Sequence, residues 1–97
     1  LRILTVCEEG LNRSVAARWL LQHAGHEVIP IGLNRTSTDT LNLLLDWADR
    51  VVVLDRRLLE CHQLPVEKLL LWDVGPDVYP HHYHPDLVRQ LRAFPAL

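Results

Sequence analysis

Methionine is absent from this sequence, cysteine occurs only twice, phenylalanine once and glycine four times. Two cysteines, Cys7 and Cys61, exclude a disulfide-dense secreted scaffold and leave at most one bridge. Nothing with the charge and length of a secretory signal precedes the first strand-like run. The expected location is therefore the cytoplasm, with both thiols reduced. With no initiator methionine, the chain is expected to have been processed or trimmed. A basic stripe is also lacking: ten Lys and Arg stand against twelve Asp and Glu, with the signs mixed along the chain and a formal net charge of -2. That excludes the footprint of a phosphate-backbone partner, so no nucleic acid is expected. No apolar run approaches the roughly 20 residues that span a bilayer, so no membrane partner is expected. Internal repeats, low-complexity tracts and linkers are missing too, and residues 1–97 are expected to form one domain.

Apolar residues make up 48% of the chain, in short, well-separated runs that set it apart from a disordered sequence. Ile3-Leu4-Thr5-Val6 reads as a first strand. Residues 14–23 carry Val15, Ala16, Trp19 and Leu20 at helical spacing, and Gly25 is the expected stop. Glu27-Val28-Ile29-Pro30-Ile31 reads as a second strand, with Pro30 placing it at a sheet edge. Thr36-Ser37-Thr38-Asp39 is a cap region for a helix to about Ala48 that buries Leu41, Leu44, Leu45 and Ala48. Arg50-Val51-Val52-Val53-Leu54 is the clearest strand, a continuous apolar run as in a central parallel strand covered on both faces. A short helix over residues 57–63 and a strand over 69–72 follow. A loop then holds Gly75, Pro76 and Pro80. The last helix, over 85–94, buries Leu87, Val88, Leu91 and Phe94. The three tryptophans, Trp19, Trp47 and Trp72, are expected in or near the core, and Cys61 half-buried on its helix. The order βαβαβαβα calls for a parallel sheet with helices on both faces and a ligand site at the carboxyl ends of the strands.

The turn after the first strand is Cys7-Glu8-Glu9-Gly10-Leu11-Asn12-Arg13-Ser14. Five residues between Cys7 and Arg13 are enough to wrap a loop around one tetrahedral oxyanion. The backbone N–H groups of Glu8, Glu9, Gly10, Leu11, Asn12, Arg13 and Ser14 are the expected phosphate-binding nest. The following helix presents its N-terminus to the same point. Arg13 closes the ring with a planar two-pronged contact. The same positive field favours the thiolate of Cys7, and Ser14 is placed to donate to it. The Glu8 and Glu9 carboxylates are expected at the pocket rim. Phosphate-ester cleavage also needs a carboxylic acid to protonate the leaving oxygen, and Asp73 and Asp77 in the loop after the fourth strand are the candidates. Gly75-Pro76 makes a stiff turn before Asp77. Tyr79 and Tyr83 are placed to flank an aromatic substrate ring. His81, His82 and His84 fit no common metal-ligand spacing and are expected in solvent, so neither metal nor cofactor is expected.

The stretch from Cys7 to Ser14 resembles the signature of the protein tyrosine phosphatases. Its place at the start of a four-strand α/β chain resembles the low-molecular-weight class. Trp47-Ala48-Asp49-Arg50-Val51-Val52-Val53-Leu54 is similar to that family's third strand and its approach. Residues 72–77 are similar to the segment leading to its general-acid aspartate. The resemblance covers nearly the whole chain. It implies a flavodoxin-like three-layer sandwich with a four-stranded parallel sheet of order 2-1-3-4. It also implies a phosphatase acting on phosphotyrosine in proteins or on small aryl phosphates, with Cys7 as nucleophile, Arg13 binding the phosphoryl group and Asp77 as general acid. Three departures are specific to this chain. Glu9 and Gly10 stand where the family has Gly and a left-handed Asn. Pro30-Ile31-Gly32-Leu33 lacks the serine that braces that Asn. Asn12 replaces the second loop cysteine. The competing readings are a catalytically weak module that binds a phosphorylated partner, an arsenate reductase-like thiol enzyme, for which the chain is one cysteine short, and a phosphocysteine carrier, whose related loop lacks the arginine.

Overall fold

A computed structural model describes residues 1–95 and 97. Four strands, β1 (Arg2–Cys7), β2 (Glu27–Gly32), β3 (Arg50–Val53) and β4 (Leu69–Leu71), form one parallel sheet of order 2-1-3-4. The helices α1 (Arg13–His23), α2 (Thr38–Trp47), α3 (Leu58–Cys61) and α4 (Pro85–Arg92) alternate with them. Pairing sets Cys7 beside Gly32, Val6 beside Val53, and Val53 beside Leu71, so all four strands deliver their carboxyl ends to one edge. The sheet reads as the sequence pattern requires. Pro30 sits in the edge strand β2, and the all-apolar Val51-Val52-Val53 lies in β3, between β1 and β4.

Two apolar cores cover the two faces, and strand alternation sorts the residues between them. Ile3, Cys7, Val52 and Leu54 join Ala16, Ala17, Leu21, Leu87 and Leu91 on the side of α1 and α4. Leu4, Val6, Val51 and Val53 join Ala48 and Leu58 on the side of α2 and α3. Thr5 interrupts the apolar run of β1 without cost, because its buried hydroxyl donates to the Ser14 carbonyl at 2.8 Å. That bond ties the start of α1 to the strand that precedes it.

The helices depart from the sequence reading in several places. In α1 the buried residues are Arg13, Ser14, Ala16, Ala17 and Leu21, and Trp19 is 47% exposed rather than in the core. Arg13 and Ser14 face inward at the helix start, on the same side as Ala16, Ala17 and Leu21, whose side chains join the core of that face. Ser37 caps α2 by accepting from the Thr40 N–H, as expected, but Leu41, Leu44 and Leu45 are only half-buried, and Ala48 alone is fully covered. The third helix is a single turn from Leu58 to Cys61, shorter than the expected span, and Cys61 is exposed rather than half-buried. β4 ends at Leu71 and α4 at Arg92, each short of the expected end. Trp72 is buried and stacks on Phe94 with ring centroids 5.4 Å apart. Among the described residues, no helix is long and apolar enough to cross a membrane.

Candidate active site

The loop between β1 and α1 is shaped by glycine contact rather than by a side-chain brace. Gly10 has φ +76°, the left-handed region in which a side chain is strained. A Cβ at Gly10 would lie 2.5 Å from the Gly32 backbone nitrogen, and a Cβ at Gly32 would collide with the Glu9 carbonyl group. The two backbones touch because neither residue carries a side chain. A further clamp is the Asn34 N–H donating to the Glu8 carbonyl at 2.9 Å.

Cys7 closes β1 and is 1% exposed. Its Sγ accepts the Gly10 N–H at 3.0 Å and lies 3.1 Å from Ser14 Oγ. The Gly10 N–H thus donates to the sulfur, and the thiol in turn donates to Ser14 Oγ. Asn12 occupies the N-cap position of α1 without a side-chain capping bond, and no acidic residue stands in the first turn. The orphan N–H groups of that turn are therefore left without a side-chain acceptor at the positive end of the helix.

Arg13 is fully buried, an unusual position for a cation. Its Nη1 donates to Asp55 Oδ2 at 2.9 Å and to the Gly75 carbonyl at 2.7 Å. Its Nε and Nη2 are buried and have no partner among the described residues. Nε and Nη2 form the side-on edge of the guanidinium, the edge that makes a two-pronged contact with an oxyanion.

Asp55 is a residue that the sequence reading did not single out. It follows the end of the central apolar run, is 3% exposed, and accepts from Arg13 and from the Arg57 backbone and side chain. Arg57 first, then Arg13, hold its carboxyl well below the usual range, at about 2, against the opposing effect of burial. A lone acid at the carboxyl end of a fully apolar central strand was the available signal.

The loop from Asp73 to His84 is anchored at several points. The Val74 N–H donates to the Leu54 carbonyl at 3.0 Å, laying the loop beside the end of β3. Asp73 Oδ1 accepts the Gly75 N–H at 3.0 Å, and its Oδ2 lies 3.6 Å from Arg56. Asp73 thus holds the turn in which Gly75 has φ +76°. Asp77 is exposed at the apex, with Oδ1 3.4 Å from Asn12 Nδ2. Tyr79 is half-buried against the core of α1 and α4, and its hydroxyl accepts from Gln90. Tyr83 is 67% exposed and stacks on His81 with centroids 3.8 Å apart. Tyr83 lines a groove of about 320 Å³ with Ala16, Trp19, His82, Val88 and Arg92, residues distinct from the Cys7 loop. His81 and His84 are half-buried rather than solvated, and His84 caps α4 by accepting the Asp86 N–H. Among the described residues, no three His, Cys, Asp or Glu side chains are placed to hold a metal ion.

Glu9 does not stand free at the rim. Its carboxylate accepts from Arg35 Nε at 2.8 Å and from Asn34 at 3.3 Å, and these two bonds hold it below its ordinary range. Glu8 is exposed.

Comparison with protein-family models, with curated protein sequences and with solved structures returns no match to this chain.

Proposed function

We propose that the chain is a cysteine-dependent phosphatase that hydrolyses phosphotyrosine in proteins, or small aryl phosphate monoesters, through a cysteinyl-phosphate intermediate. The observation that carries this reading is Arg13. A buried guanidinium with one nitrogen fixed and the opposite edge unpartnered costs on the order of 1–3 kcal/mol or more, since charged donors lose more than neutral ones on burial. A dianionic phosphoryl group bound in the loop satisfies that edge with two oxygens. The N–H groups of the loop and the N-terminus of α1 serve the rest.

In the first step the Cys7 thiolate forms a bond to phosphorus as the bond to the ester oxygen breaks. The Asp77 carboxylic acid gives that oxygen its proton. In the second step water attacks the phosphorus of the cysteinyl phosphate and yields its proton to Asp77. The Cys7 thiolate leaves, stabilised by the Ser14 hydroxyl, and inorganic phosphate is released. Asp77 is favoured over Asp73 for the acid because the Asp73 carboxylate is engaged with Gly75 and Arg56. This chemistry uses no metal or cofactor. It suits a reducing compartment, and we place the protein in the cytoplasm, with phosphorylated proteins or aryl phosphates as partners.

The test is turnover of para-nitrophenyl phosphate by the parent chain and by Cys7→Ser. Hydrolysis by the parent that is lost in the variant is expected, and hydrolysis retained in the variant contradicts the covalent route. A phospho-partner binding module is the second reading, favoured by the near-complete burial of Cys7. Binding of a phosphotyrosine peptide without turnover by the parent identifies it.

A further inference from the structure

Asparagine is among the best N-cap residues, and omitting the capping bond costs about 1 kcal/mol of helix stability. Asn12 occupies the N-cap of α1 and makes no such bond. Its side chain turns to the acid loop instead. Nδ2 donates to the Tyr79 carbonyl at 2.9 Å and to Asp77 Oδ1 at 3.4 Å. An amide nitrogen has two hydrogens, and both are used across this gap. The neighbouring residue grips the same loop on the other side of Asp77, through the Arg13–Gly75 bond of 2.7 Å. Consecutive residues of the phosphate loop thus hold the acid loop two residues before and two residues after Asp77. Between them, the Val78 N–H donates to the Pro76 carbonyl at 2.9 Å and tightens the apex.

We infer that Asn12 is a positioning residue for the general acid. It fixes Asp77 over the phosphate loop and holds Oδ1, so that Oδ2 carries the transferable proton. The inference rests on the phosphatase reading and deepens it. Asn12 donates to Oδ1 both when Asp77 is the acid and when it becomes the base, so one contact serves both steps. Because Asn12 and Arg13 adjoin, phosphoryl binding by Arg13 and acid placement by Asn12 are coupled through a single peptide unit.

Acid placement and phosphate binding separate experimentally by leaving group. An aryl ester with a good leaving group departs without a proton, and one with a poor leaving group does not. In Asn12→Ala, kcat for phenyl phosphate is expected to fall roughly tenfold, the loss set by one hydrogen bond to a charged group. The loss on para-nitrophenyl phosphate is expected to be at least about threefold smaller than on phenyl phosphate, because its leaving group departs without a proton, and competitive inhibition by inorganic phosphate reads any change in the nest separately. In an Asp77→Asn background the same substitution should add less than about twofold, because Asn12 acts through Asp77. Asn12→Ser guards against a folding defect. Serine caps a helix well but is too short to reach both acceptors, so this variant should be as stable as the parent, or more so, with the same selective loss on phenyl phosphate.

A uniform loss on both esters with weakened phosphate inhibition would make Asn12 a structural residue of the nest and overturn the inference alone. So would full additivity with Asp77→Asn. A parent chain that hydrolyses neither ester overturns the phosphatase reading, and this inference with it.

Discussion

Replacing Asp55 by asparagine tests the electrostatic frame of the site. Asparagine keeps the shape of the side chain and mimics the protonated acid, while removing the charge that faces Arg13 and Arg57. The Asp55 carboxyl is held at about 2 against an ordinary 3.8. At about 1.4 kcal/mol per unit, the ionised form contributes about 2 kcal/mol at neutral pH. For a domain of this length that is a drop of about 8–16 °C in Tm, from a total stability on the order of 5–15 kcal/mol. Asp55→Ala removes the acceptor as well, and the cost rises to about 3–5 kcal/mol as Arg13 is left buried and unpaired. The pH dependence has a definite sign. The folded value lies below the unfolded one, so the stabilisation is complete above pH 3.8 and is lost as pH falls through 2. About half of it is left near pH 3. Urea unfolding of parent and Asp55→Asn at pH 7 and at pH 3 reads the difference directly. A gap that narrows toward pH 3 is expected. Equal stability of the two proteins at pH 7, or a gap that grows on acidification, would refute the buried-pair account.

Gly10→Ala meets the Gly32 backbone in a left-handed conformation, whereas Gly25→Ala, at φ +94°, meets nothing within 4 Å. Gly10→Ala should therefore destabilise by about 2 kcal/mol or more, clearly beyond Gly25→Ala, in parallel thermal melts. Equal losses would mean the Gly10–Gly32 contact does not shape the loop. Arg13→Lys keeps the charge but cannot present a planar side-on edge, and kcat/KM for aryl phosphates should fall roughly a hundredfold. Parity with the parent would remove Arg13 from the transition state. Asp77→Asn should slow phenyl phosphate at least about a hundredfold, with far less effect on para-nitrophenyl phosphate. Asp73→Asn should show no such dependence, and the reverse pattern would move the acid to Asp73.

Much of the fold was legible because its signals are local. The Val51–Leu54 run, Pro30 in an edge strand, the Ser37 cap and the Cys7-to-Arg13 spacing each act within a few residues, and together they mark the sheet and the loop at its carboxyl edge. What stayed hidden depends on pairs distant in sequence. Asp55 meets Arg13 across 42 positions, and Asn12 reaches Asp77 across 65. No periodicity marks such pairs. Trp19 misled for a related reason. Its spacing with Val15, Ala16 and Leu20 describes an apolar stripe, but the buried face of α1 runs through Arg13, Ser14, Ala16, Ala17 and Leu21, and two of its members are polar, so apolar periodicity does not mark it. Glu9 read as a free acid at the rim, but it is half-buried and paired with Arg35, which lies 26 positions away on the far side of β2, so the pairing was not legible.

The central claim is that Cys7 becomes phosphorylated during turnover. Rapid acid quench of Asp77→Asn, in which the second step is slowed, during reaction with para-nitrophenyl phosphate traps any intermediate for peptide mass analysis. The account predicts one phosphoryl group on the peptide containing Cys7, none on the peptide containing Cys61, and none in Asp77→Asn combined with Cys7→Ser. Turnover with an unmodified Cys7 at every quench time would contradict it.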